Sequence, residues 1–73
     1  MTEISQAVSR AVQAAGNQAD LASLLGVSQQ SVSAWLQGRS RVPADKAILI
    51  ERVTKGVVKL SDVRPDLSRL LAG

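Results

Sequence analysis

The chain has 73 residues and a formal net charge of +3, with a single Trp as its one aromatic residue, no Cys and no His. That length predicts one domain with a small core, for which association into a homodimer would be a natural source of stability. Lack of Cys and His excludes a disulfide framework and the usual zinc sites, and no apolar run approaches the roughly 18 residues that span a bilayer.

The first predicted helix is capped by Thr2 and runs to about Ala15. Ile4, Ala7, Val8, Ala11, Val12 and Ala15 keep i, i+3, i+4 spacing and form its inward face. Glu3, Gln6, Arg10 and Gln13 lie opposite, and Gly16 ends the helix. Arg10 reads as a solvated cation, with a phosphate contact as the other reading.

Asn17 is placed to cap a second helix, since its side-chain oxygen can accept an amide of the first turn. Asp20 adds negative charge at that positive end. Leu21, Ala22, Leu24 and Leu25 give this helix an apolar side. Gly26 supplies a turn where a left-handed conformation costs least. Free amides and the helix dipole suit a phosphate at the start of this helix, so Asn17 and Gln18 are expected to contact a phosphate backbone as well, with capping alone as the other reading.

Ser28 caps a third helix, from Gln29 to about Gln37, in which Val32, Trp35 and Leu36 face inward. Gln29, Gln30, Ser33, Ala34 and Gln37 are left facing outward. No charge occurs between Gln29 and Gln37. A solvated helix surface usually carries Lys and Glu, whereas Gln bonds bidentately to adenine N6 and N7 and Ser to several base edges. The pattern is that of a helix-turn-helix whose second helix enters the major groove. Ser28, Gln29, Gln30, Ser33, Ala34 and Gln37 are therefore the expected base contacts, with Ala34 suited to a thymine methyl. A purely structural helical hairpin would explain Ala22, Gly26, Val32 and Trp35, but not the uncharged Gln/Ser face.

Arg39 and Arg41 flank Ser40 in the next loop. Each guanidinium can fork onto phosphate oxygens, which gives two further backbone contacts. The competing reading for Arg41 is an ion pair with Glu51. Residues 1–38 hold one basic and two acidic side chains, residues 39–73 eight basic and four acidic, so the positive charge begins just after the reading helix.

Pro43 fits the first turn of a fourth helix, which runs to about Lys55 and is stopped by Gly56. Ala47, Ile50 and Val53 can pack inward. Ile48 or Leu49 must then lie towards Asp45 and Arg52, which suggests either a partner surface or a larger core under the tail. Val57 to Leu60 reads as a short strand or as the approach to a fifth helix capped by Ser61 or Asp62, and the helix is preferred. Pro65 ends it and pushes Arg64 out of helical geometry. Asp62 and Asp66 could approach each other, but Arg64 and Pro65 between them suggest a turn. Leu67, Leu70 and Leu71 form tail packing or dimer contacts. Ile48, Leu49, Val57, Val58, Leu60 and Leu67 are the candidate dimer interface.

The stretch Asn17-Gln-Ala-Asp-Leu-Ala, then Gly26, then Gln29-Gln-Ser31 resembles the helix-turn-helix of lambdoid phage repressors and Cro proteins, over roughly residues 17–43. It is especially similar to a subgroup whose paired Gln residues read an A-C-A-type half-site. The resemblance implies that Gln18 bonds the DNA backbone and supports the first reading Gln, and that Arg39 and Arg41 hold the backbone. Val42-Pro-Ala-Asp45, Ile50 to Gly56 and Val63-Arg-Pro-Asp-Leu67 resemble small prophage Cro-like and YdaS-type regulators. Two positions depart from the repressor pattern. Ala34 stands where a longer polar reader is expected, and Leu36 follows Trp35 where a polar residue is commoner.

The expected fold is all-α, a compact bundle of about five short helices like the lambda repressor domain, with the helix-turn-helix at about 18–37 and a tail or dimerisation segment at 57–73. The expected function is transcriptional repression by a homodimer on a palindromic duplex operator. No cofactor, metal, membrane or small-molecule substrate is implied. The serines have no His to activate them, Lys46, Lys55 and Lys59 match no nucleophile pattern, and there is no glycine-rich phosphate loop, so the chain is not expected to be an enzyme. The N-terminus lacks the basic and apolar regions of a signal peptide, so a cytoplasmic location is expected. Two other functions fit the residues: the antitoxin of a toxin–antitoxin pair, with a toxin protein bound by the C-terminal half, and a protein-interaction module that uses the Gln/Ser face.

Overall fold

The computed structural model describes residues 3–72, and all of their side chains except those of Ser68, Leu71 and Ala72. The expected Thr2 cap and the packing of Leu71 lie outside the described residues. Among these the chain is all-helical: α1 (Glu3–Ala15), α2 (Gln18–Leu25), α3 (Gln29–Leu36), α4 (Ala44–Val53), α5 (Leu60–Val63) and α6 (Pro65–Ala72). The central helix is α1, which packs on α2, α3 and α5. On the far side α4 closes against α2 and α5, while α6 packs on α5.

The core follows from the apolar stripes. Ala7, Val8 and Ala11 of α1 meet Leu21, Ala22 and Leu25 of α2, Val32 and Trp35 of α3, and Ala47 and Ile50 of α4. Val42, Val58 and Val63 close it from the loops and α5. Each large apolar side chain buried here contributes about 1.5–3 kcal/mol relative to exposure. Two expected core residues are displaced. Leu24 is 53 % exposed, and Ile4, at the open first turn of α1, is 36 % exposed. Ser5, expected nowhere in the core, is buried.

The fourth helix ends earlier than Gly56. Its last residue is Val53, and the left-handed position that follows is Lys55, at φ 54°. The Lys55 amide bonds to the Arg52 carbonyl and the Gly56 amide to the Glu51 carbonyl, which is the Schellman pattern with Lys where Gly is usual. Pro43 stands just before the first helical residue rather than within the first turn.

Residues 57–58 are a bend, not a strand. The buried Thr54 hydroxyl donates to the Ile50 carbonyl at 2.7 Å and accepts the Val58 amide at 3.2 Å, which fixes the path out of α4. The start of α5 is Leu60, with Lys59 rather than Ser61 or Asp62 at the cap position. Asp62 reaches back to accept the Lys59 amide at 2.9 Å, and Glu51 accepts the Leu60 amide at 2.7 Å. Arg64 takes the non-helical φ of −140° expected before Pro65. Pro65 does end α5, but it also opens α6, where a missing amide at the first helical position loses nothing.

Candidate nucleic-acid interface

The helix pair is built by local chemistry. Asn17 adopts an extended backbone and its Oδ1 accepts the Asp20 amide at 2.8 Å, which caps α2. At the other end Gly26 takes φ 70°, its amide bonds to the Ser23 carbonyl and that of Val27 to the Ala22 carbonyl. A side chain there would have to enter the left-handed region, which costs roughly 1–2 kcal/mol. Ser28 then accepts the Ser31 amide on its Oγ at 3.2 Å and caps α3. The same closure recurs at the end of α3: Gly38 takes φ 73°, its amide bonds to the Trp35 carbonyl and that of Arg39 to the Ala34 carbonyl. Val32 and Trp35 seat α3 on the core.

This seating leaves Gln29, Gln30 and Gln37 exposed. Among the described residues the side chains of Gln29 and Gln30 make no hydrogen bond, so both amides are unspent. Ser33 and Ala34 are half-buried, at the edge of the exposed face rather than on its crest. Gln37 donates from Nε2 to the Ser33 Oγ at 3.2 Å, so these two are linked to each other. Gln18 is exposed at the start of α2, beside the Asn17 cap.

Arg39 and Arg41 are exposed, and among the described residues neither guanidinium has an ion-pair partner. The alternative pairing of Arg41 with Glu51 does not form, and Glu51 accepts the Leu60 amide instead. Arg10 is paired with Asp62 at 3.5 Å rather than free. Asp62 and Asp66 do not pair with each other: Asp66 binds Arg64.

The sequence places Arg64 and Asp66 in a turn about Pro65 and gives them no part in the site, yet Arg64 bonds to the end of the loop that carries Arg39 and Arg41. Arg64 donates from Nη1 to the Val42 carbonyl at 2.8 Å, and from Nε and Nη2 to the two oxygens of Asp66 at 3.0 and 2.8 Å. The bonds between Arg64 and Asp66 lower the Asp66 carboxyl to about 2; burial opposes this and the charge attraction adds to it. They also raise Arg64 above its ordinary value. The one sequence signal was the opposite charges flanking Pro65.

Of the six candidate dimer residues, Ile48 and Val57 are exposed, at 47 % and 61 %. Leu49, Leu60 and Leu67 are half-buried. Val58 is fully buried, because the Thr54 bond turns it into the core, so its side chain cannot meet a partner.

An all-α bundle of short helices with the capped pair α2–α3 at its surface is the class that this geometry defines. The chain belongs to the YdaS family: the family model described as "Bacterial toxin YdaS" matches residues 8–70. It is similar to an Escherichia coli (strain K12) protein named "Putative transcriptional regulator YdaS", with 44 % identity over 52 residues. That alignment covers 71 % of this chain and 53 % of the relative, so the chain spans about half of the relative's length. No solved structure matches the chain.

Proposed function

We propose that the chain is a transcriptional regulator that binds duplex DNA sequence-specifically as a homodimer and represses by occupying a palindromic operator. The observation that carries this is the uncharged face of α3. It presents Gln29 and Gln30 with unspent amides, and the unpaired Arg39 and Arg41 follow it directly. The amides of Gln29 and Gln30 suit base edges, assisted by Ser28, Ser33, Ala34 and Gln37. Asn17, Gln18, Arg39 and Arg41 suit phosphates, which fix register without reading sequence. Two copies would read half-sites about one helical turn apart. Ile48 and Val57 offer apolar surface for the second copy. The name of the Escherichia coli relative supports the regulatory role.

A titration of the chain against duplex DNA over a range of salt tests the reading. Affinity should fall steeply with salt, and Arg39→Ala should weaken all sequences alike and reduce the slope by about one. Binding that ignores salt and survives loss of Arg39 and Arg41 would instead mark α3 as a protein-binding face.

The family description "Bacterial toxin YdaS" favours a second reading, that of a toxin, beside the antitoxin that the residues also fit. Induction of the chain alone in a growing culture separates the cases. Growth arrest would support a toxin, and a stable complex that relieves arrest by another protein would support an antitoxin.

A further inference from the structure

The loop from Gly38 to Val42 is anchored at its start, where the Gly38 and Arg39 amides close the end of α3. Beyond that point Ser40, Arg41 and Val42 make no backbone–backbone hydrogen bond among the described residues. The loop forms one wall of a half-open cleft of about 440 Å³, whose other walls include Ile4, Trp35, Val63 and Pro65. Packing therefore does not support the loop on its cleft side, and the loop has room to shift. Two things oppose this: the buried Val42 side chain and the bond from Arg64 to the Val42 carbonyl.

Arg64 is itself fixed on both sides. Pro65 restricts its backbone, the adjacent Val63 is fully buried, and Asp66 holds the guanidinium by two bonds. Its side chain is only 12 % exposed. A cation this committed is a poor phosphate ligand, but a stiff strut.

We propose that Arg64 is a positioning residue for DNA binding: its tie to the Val42 carbonyl and Asp66 holds the loop so that Arg39 and Arg41 meet the phosphates. This rests on the DNA-binding reading above. It makes the α5–α6 junction, 22 residues away in sequence, part of the DNA-gripping apparatus. A tie of this kind acts on affinity for all sequences and leaves base preference to α3.

The test is Arg64→Met in the full chain, with binding measured to a selected duplex and to random duplex. Binding should weaken about tenfold on both, within the range for groups coupled in one hydrogen-bond network, with unchanged base preference. Arg64→Lys keeps the charge but cannot fork onto Asp66 while reaching Val42, so it should not restore binding. Full restoration by Lys would show that charge alone matters and overturn the proposal. In a chain already lacking Arg39 and Arg41, Arg64→Met should have no further effect. Independent, additive effects with normal wild-type binding would overturn this proposal alone. Nuclear magnetic relaxation supplies a readout without DNA: order parameters of residues 39–42 should fall in Arg64→Met while those of α3 hold. An unchanged loop would overturn the proposal too, and Asp66→Asn gives the same readout if Arg64→Met does not fold. Failure of the wild-type chain to bind any duplex would overturn the DNA-binding reading, and this proposal with it.

Discussion

The pair α2–α3 is held by bonds that its near neighbours supply: Asn17 to Asp20, Ser28 to Ser31, Val27 to Ala22. The stretch from Gly38 to the α5–α6 junction is held across the chain, by Arg64 to Val42 and by Leu60 to Glu51. The first region bears no charge on its exposed third helix, and the second carries most of the basic side chains. Base reading needs side chains at fixed heights on a rigid rod, which local capping and a buried Trp provide. Phosphate contacts need charge at the right place, and we propose that this placement depends on the Arg64 tie.

The largest test of this contrast is Trp35→Ala. Trp35 is 3 % exposed in the core, and its truncation should cost about 3–5 kcal/mol, read by urea unfolding. A loss below about 1 kcal/mol would show that α3 is not seated by this residue. Next, Gln29→Ala should cost about 1–3 kcal/mol on the best duplex and relax preference at one base pair. An unchanged preference would move the reading function off α3. Asn17→Ala removes the α2 cap and should lower stability by about 1 kcal/mol in a thermal melt.

Lys55→Gly works in the opposite direction. Lys55 holds φ 54°, which costs an L-residue roughly 1–2 kcal/mol, against about 0.5–1 kcal/mol for the greater entropy that Gly loses on folding. A net gain of about 0.5–1 kcal/mol should raise the melting temperature, and a loss would mean that the Lys55 side chain supports the turn. The smallest effect concerns pH. The folded Asp66 carboxyl sits at about 2, below its ordinary range. Its contribution is therefore complete above the unfolded value of about 4 and is lost as pH falls towards 2. Asp66→Asn should flatten that part of the stability curve. An unchanged acid limb in the variant would show that the Arg64 tie contributes nothing to folding.

The same contrast explains what the sequence reveals. In α1 to α3 the caps, turn glycine and apolar spacing all act within five residues, so they are visible in order along the chain. Leu24 is the exception. At about 100° per residue it falls roughly 60° outside the arc that buries Leu21, Ala22 and Leu25. From Val42 onward the decisive contacts join distant residues. Val57 and Val58 read as a strand pair, but the Thr54 hydroxyl at the end of α4 bends them apart. Pro65 reads as a stop, and the helix it starts was hidden by the one it ends. The exposed residues proposed to read bases were visible because an uncharged helix face is unusual. The tie from Arg64 to the loop was not, because an Arg and a carbonyl 22 positions apart leave no local pattern.

The central claim is that α3 reads duplex DNA for a dimer. The most direct test is selection of binding sites from random duplex with the purified chain, followed by mass determination of the complex. The account predicts an enriched palindrome, half-sites about one helical turn apart, and two chains per duplex. No enrichment at low salt would contradict it.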